Sequence, residues 1–174
     1  ACHALGSSEI LSSEKSLKTG SCYYSHAAAF SSHAVKTIAS GEGGVVTTND
    51  ENFAKRLRLY RNHGMVRDND ELASNPWHYE MHSLGFNYRL TDIQCALGIS
   101  QLKKLNLFIK RRRDIAKIYK RKLSSLKEFI NFTDDTKEKI AAYHLFIINL
   151  NLDKVKISRD ELIKKLSKSK ILTQ

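Results

Sequence analysis

Apolar residues along this chain follow two rhythms. Short uncharged runs mark strands, and spacings of three and four mark helices. Residues 26–31, with Ala27, Ala28, Ala29 and Phe30, form a small, apolar run that predicts a buried strand. Gly44 leads a second, β-branched strand through Val45, Val46, Thr47 and Thr48. Asn49-Asp50 then caps a helix to about His63, with Phe53 and Leu57 four apart on its core face. Gly64 ends that helix in the left-handed conformation that glycine tolerates. Thr91 caps the next helix, which carries Ile93, Leu97 and Leu102. Leu105, Phe108, Ile109, Ile115, Tyr119 and Leu123 predict one long helix, with a continuous buried stripe under a heavily basic face. Residues 143–150 predict a strand, and Ser158-x-x-Glu161 is a capping box that opens a final helix. Residues 12–24 read as a polar loop. Residues 65–79, which hold Pro76 beside Trp77, read as a longer loop, either substrate-shaping or a surface excursion. Strands alternating with helices imply an α/β layer architecture.

Composition narrows the class. At 174 residues and 41% hydrophobic, the chain is long enough to bury a sizeable core. No run of about 18 apolar residues predicts a membrane span, and no charged-then-apolar leader opens the chain. Cys2, Cys22 and Cys95 form an odd set without C-x-x-C spacing, which argues against a disulfide framework and a zinc site. A reducing cytoplasm fits best. The net charge of +11 raises nucleic-acid binding as a rival function. The surplus is spread along helices, as in Lys110-Arg111-Arg112-Arg113 and Lys164-Lys165, with no stacking motif beside it. It reads as a solvated basic face, with attraction of a nucleotide diphosphate as a further use.

Candidate chemistry centres on Lys36. It lies between the first strand and a turn containing Gly41, Gly43 and Gly44. A lysine in a partly dry pocket loses its proton readily and can attack a carbonyl as an amine nucleophile. Ser31, His33 and the glycine turn put hydroxyl, imidazole and backbone N–H groups beside it, the equipment for a phosphate and an aromatic cofactor. His33 is either an acid–base group or a packed, hydrogen-bonded ring. Glu42 either orients the lysine or caps the turn. Arg89 suits a phosphate, a carboxylate or a structural ion pair. His63, His78 and His82 lack the helical spacing of metal ligands, so no metal site is expected.

Five segments stand in register: Ala1-Cys2-His3-Ala4-Leu5-Gly6, Ser31-x-His33-x-x-Lys36, Glu42-Gly43-Gly44, Arg61-Asn62-His63-Gly64 and Gly85-Phe86-Asn87-Tyr88-Arg89-Leu90-Thr91-Asp92-Ile93-Gln94. Over nearly its whole length the chain resembles the pyridoxal-phosphate-dependent sugar aminotransferases of the DegT/StrS family. The resemblance implies a fold-type I α/β fold. Residues 1–102 would be the latter part of the large cofactor domain, and residues 103–174 the linking helix and the start of the small domain. It implies pyridoxal 5′-phosphate as cofactor, carried on Lys36, with Ser31 on its phosphate and His3 at its ring. Asn87 would reach the phosphate in the neighbouring subunit of a homodimer, and Glu42 and Arg89 would face substrate. Within the family, Gln101-Leu102-Lys103-Lys104-Leu105 and the two preceding motifs most resemble the branch that aminates a UDP-linked 4-keto-6-deoxy-N-acetylhexosamine.

There are two departures from the family pattern. Ser32 stands where an aromatic or apolar residue is usual, and residues 12–24 form a longer connection. The family's aspartate for the pyridine nitrogen falls immediately before Ala1. The resemblance therefore implies an internal portion of a longer enzyme, inactive by itself. Three function classes follow. The first is transfer of an amino group, from L-glutamate in the family, onto a 4-keto nucleotide sugar. The second is a related dehydratase, in which histidine replaces the lysine. The third is a non-catalytic remnant or basic binding module.

Overall fold

A computed structural model describes residues 1–13, 15–67, 75–133 and 135–174. The chain is mixed α/β. Its described strands form four small antiparallel sheets: β2-β1-β8, β3-β4, β5-β6 and β7-β9. Here β1 is Ser8–Ile10, β2 Ser16–Lys18, β3 Ala27–Ser31, β4 Gly44–Thr48, β5 Met65–Val66, β6 Glu80–Met81, β7 Ile130–Phe132, β8 Lys139–Ile140 and β9 Ile148–Leu150. The helices are α1 Glu51–Arg61, α2 Asp92–Leu102, α3 Leu105–Lys122 and α4 Arg159–Lys168.

Local chemistry starts the helices where the sequence predicts. Asp50 Oδ1 accepts the Phe53 N–H at 3.0 Å. Thr91 with Gln94 and Ser158 with Glu161 form full capping boxes, each satisfying two otherwise orphaned N–H groups. Helix α1 ends at Arg61, two residues early, because His63 (φ +58°) and Gly64 (φ +69°) both turn left-handed.

Five expectations need correction. Strand β3 is half-exposed, since β4 is its one partner among the described residues. Within 12–24, residues 16–18 form β2 and close a hairpin on β1 (Glu9 opposite Leu17). The stripe on α3 is interrupted: Ile109 and Ala116 are buried, but Ile115 and Tyr119 are 38% and 49% exposed. Only a thin cover lies there, with Phe146 stacked on Tyr119 at 5.1 Å. Of the strand expected over 143–150, only Ile148–Leu150 pairs, because Tyr143 takes φ +51° and breaks the extended run. Of the loop expected over 65–79, residues 68–74 lie outside the described residues, and Met65–Val66 pairs with Glu80–Met81.

Ile38, Ile109, Ala116 and Ala142 are the buried apolar side chains among the described residues, with Thr37 and Ser40 buried beside them. One buried stretch, Thr37, Ile38 and Ser40, therefore follows Lys36 directly in the chain. Helix α3 is bound to the N-terminal segment: a Cβ on Gly6 (φ +86°) would sit 2.7 Å from Ile109 Cγ1, so only glycine permits this approach.

Candidate active site around Lys36

Lys36 is carried on the loop between β3 and β4. The ladder of that hairpin ends with Ser31 opposite Gly44 and is extended by the Ser32 N–H donating to Gly43 O at 2.9 Å. The loop then folds on itself. Ser40 N–H donates to Ser32 O at 2.9 Å, and Ser40 Oγ donates to Ser32 Oγ at 2.7 Å. Ser32, the departure noted in the sequence, is thus the residue on which the loop closes. Glycine is required at the exit: a Cβ on Gly44 would lie 2.6 Å from Phe30 O, and one on Gly43 (φ +137°) 2.5 Å from Leu90 Cδ2. Lys36 N–H closes a turn on His33 O at 2.9 Å, and buried Thr37 and Ile38 pin the chain beyond it.

The Lys36 side chain is half-buried, and its Nζ lies 2.8 Å from His3 Nε2. That is hydrogen-bond distance, and which of the two nitrogens donates depends on the His3 tautomer. His3 in turn packs against the His144 ring, with centroids 4.4 Å apart and a 44° tilt. A cavity of about 280 Å³ opens here, lined among others by His3, Ser7, Asp135, Tyr143 and His144. A larger cleft of about 530 Å³ lies between the β1–β2 hairpin and Tyr23 and Tyr24.

Ser31 stands at the start of the loop. Its Oγ accepts the His33 N–H at 3.3 Å, and no acceptor takes its own proton among the described residues. Glu42 faces His33 (Oε1 to Nε2, 3.4 Å), and both are exposed. Its carbonyl accepts from Ser40 Oγ and from Gln94 Nε2, each at 3.2 Å, which ties the loop to the first turn of α2.

Asn87 and Arg89 belong to a second cluster, at the end of α1. Phe86 N–H donates to Tyr60 O at 2.7 Å, His63 N–H to Phe86 O at 2.9 Å and Tyr88 N–H to Arg61 O at 3.0 Å. The Arg61–Gly64 and Gly85–Arg89 motifs are therefore two sides of one close backbone pairing. A Cβ on Gly85 would meet Gly64 N at 2.5 Å. Arg89 Nη1 donates to Asn62 Oδ1 at 2.9 Å, and the Asn87 side chain stays exposed.

His78 and His82 flank Glu80 at 3.6 and 2.8 Å. The His82 hydrogen bond, with the charge of both rings, holds the Glu80 carboxyl below the usual carboxylate range. Among the described residues no group of three or more His, Cys, Asp or Glu is placed to hold a metal. No helix among them is long and apolar enough to cross a membrane.

Sequence reasoning missed His144 and the arginines behind it. Arg112 Nη1 donates to the carbonyls of Tyr143 (3.3 Å) and His144 (3.2 Å), and Arg113 donates to Ala141 O (3.0 Å) and Gly6 O (3.3 Å). Half of the Lys110–Arg113 run is thus internal scaffolding, not a solvated face. The position of the run, directly after buried Ile109, was the available signal.

The chain belongs to the DegT/DnrJ/EryC1/StrS aminotransferase family, whose model matches residues 1–174. It is 36% identical over 141 residues to the spore coat polysaccharide biosynthesis protein SpsC of Bacillus subtilis, covering 79% of this chain and 36% of SpsC. It superposes on Helicobacter pylori PseC, an aminotransferase involved in pseudoaminic acid biosynthesis, with a TM-score of 0.82 and 31% identity, covering 97% of this chain and 42% of PseC. Spr1654 from Streptococcus pneumoniae, in its PLP form, matches with a TM-score of 0.80 and 26% identity, over 99% of this chain and 41% of that one. The fold is that of fold-type I pyridoxal-phosphate-dependent aminotransferases. The chain spans between 36% and 38% of the length of the curated relatives it matches.

Proposed function

We propose that the complete protein is a pyridoxal-phosphate-dependent aminotransferase that transfers an amino group to a 4-keto nucleotide sugar, with Lys36 as its reactive amine. The observation that carries this reading is the Lys36 amine, half-buried, anchored by core residues on one side and held by His3 on the other. The residues present fit the cofactor. A primary amine, a serine hydroxyl with its proton uncommitted and an imidazole stand together on and beside one glycine-closed loop. Ser31 is assigned to the phosphate and His3 to the ring. Bound there, pyridoxal phosphate supplies the electron sink for the substrate carbon that gives up its proton. Lys36 Nζ would accept and hold that proton as general base, and His3 Nε2 would hold the amine.

Asn87 is assigned to the cofactor phosphate of the other subunit of a homodimer, in keeping with its exposure at the end of α1. Glu42 and Arg89 are assigned to substrate. By resemblance to the pseudaminic-acid branch, the acceptor is a UDP-linked 4-keto-6-deoxy-N-acetylhexosamine, the donor is L-glutamate and the product serves surface-polysaccharide synthesis in the cytoplasm. Residues 1–102 would belong to the large domain and 103–174 to the linking helix and small domain, with β1–β8 pairing across that division. Lysine at position 36, where the dehydratase branch carries histidine, favours transamination. The binding-module reading loses support because Arg112 and Arg113 are spent on backbone carbonyls.

In the complete protein, Lys36→Ala is expected to abolish amino transfer with the melting temperature little changed, since one half-buried side chain is lost and no core volume. Turnover retained in that variant would refute the assignment.

A further inference from the structure

Tyr143 adopts φ +51°, a left-handed conformation that an aromatic residue rarely takes. Such a backbone persists only where its surroundings over-determine it. They do so here. Arg112 donates to the carbonyls of both Tyr143 and His144. Tyr143 Oη donates to Asp135 Oδ2 at 2.8 Å and accepts from Lys120 Nζ at 2.7 Å. Asp135 Oδ1 accepts the Ala141 N–H at 3.0 Å, and Ala142 N–H donates to Ser7 Oγ at 2.9 Å. Six hydrogen bonds from four residues thus fix one turn, and what the turn delivers is the His144 ring against His3, whose Nε2 holds Lys36.

The state of the His144 ring follows from its contacts. Among the described residues its Nδ1 is buried without a hydrogen-bond partner. A buried unpaired N–H leaves a donor unsatisfied at Nδ1, and protonating the ring would place one there. The proton therefore sits on Nε2 and the ring is neutral. Burial, followed by the nearby His3, Arg112 and Lys36, pushes its pKa below the ordinary histidine value, in agreement.

We propose that His144 is a positioning residue: packed against His3 as an uncharged ring, it fixes the orientation in which His3 Nε2 holds the Lys36 amine. The turn braced by Arg112 and by the Lys120–Tyr143–Asp135 chain exists to place that ring. Control of the reactive amine is thereby extended to a residue more than a hundred positions away in sequence. The proposal rests on Lys36 being the reactive amine, but its test needs no turnover.

The test is competitive acetylation of the complete chain freed of cofactor, with trace acetic anhydride at one fixed pH. Lys36 modification is read by peptide mass spectrometry against the other lysines as internal standards. An amine released from its hydrogen bond acetylates faster, by about fivefold if one neutral hydrogen bond is lost. His144→Ala is expected to show this increase, and His144→Phe, which restores a ring of similar size, is expected to return to the slow rate. His3→Ala should be as fast as His144→Ala, and the double variant no faster than either, because both act through one contact. Melting curves identify variants that fail to fold; if His144→Ala does, His144→Gln carries the same expectation. A wild-type rate in His144→Ala, a His144→Phe variant as fast as His144→Ala, or additive effects in the double variant would each overturn the proposal. Turnover retained in Lys36→Ala would instead bear on the function assigned above.

Discussion

The loop that carries Lys36 and the segment from Leu84 to Leu102 are held in opposite ways. The loop is fastened from within, by its own serines and by buried Thr37, Ile38 and Ser40. The second segment is fastened through its backbone to the end of α1, while its apolar side chains face outward. Leu84 and Ile93 are 84% and 83% exposed, and Phe86 and Tyr88 stack on one another at 4.8 Å in the open. The first arrangement closes the loop on its own residues and leaves the amine to meet His3 from outside it. The second leaves a large apolar surface of the kind that marks a contact face. A homodimer that carries Asn87 to a neighbouring site would cover that face, so the reactive group and the contact surface are separable in this chain.

The largest expected effect lies in the self-fastened region. Gly44→Ala would press a methyl group onto Phe30 O and should cost about 3 kcal/mol of stability. Gly41→Ala meets nothing within 4 Å and bears only the strain of φ +87°, about 1 kcal/mol. Thermal melts of the two variants compare them directly. Equal losses would mean that packing at the loop exit does not hold the loop closed.

Next comes the exposed region. Asn87→Ala should weaken cofactor retention by roughly 1.5–3 kcal/mol, the worth of a hydrogen bond to a charged phosphate, or about ten- to hundredfold in dissociation constant. Equilibrium dialysis of the cofactor measures it. Mixing Asn87→Ala with Lys36→Ala should restore part of the activity, since a hybrid dimer holds one intact site. No recovery in demonstrated heterodimers would place both residues in one subunit's site.

A smaller effect concerns pH. The His144 pKa is depressed in the folded chain, so the folded state takes up its proton less readily than the unfolded state. The sign follows: the contribution is fully present above the ordinary value of 6.5 and is lost as pH falls through the depressed value. Melting temperature against pH should therefore decline below about 6.5, and less steeply in His144→Phe. Glu80 acts in the same direction at lower pH, its depressed carboxyl losing its contribution as pH falls through that value. Smallest of all, Ile93→Ser should leave monomer stability within about 0.5 kcal/mol while weakening self-association, which sedimentation velocity resolves.

Elements specified by neighbours in sequence were legible. The Asp50, Thr91 and Ser158 caps each act on a group three residues away, and β4 is a β-branched run that pairs with β3 across residues 32–43. Strands β1, β2 and β8 were not, because Ser-Glu-Ile, Ser-Leu-Lys and Lys-Ile are too short to show alternation and pair partly over more than a hundred residues. The break at Tyr143 was hidden for the same reason: Lys120 and Arg112, which hold it, lie on α3. At the site, Lys36, His3 and Ser31 could be singled out because chemistry and motif coincide on them. His144 could not, since its importance comes from a ring contact that no local pattern encodes.

The central claim is that Lys36 carries the cofactor. Borohydride reduction of the complete, cofactor-loaded protein, followed by peptide mapping, tests it most directly. The pyridoxyl label is expected on the peptide containing Lys36, in a single position. A label on any other lysine, with Lys36 unmodified, would contradict the account.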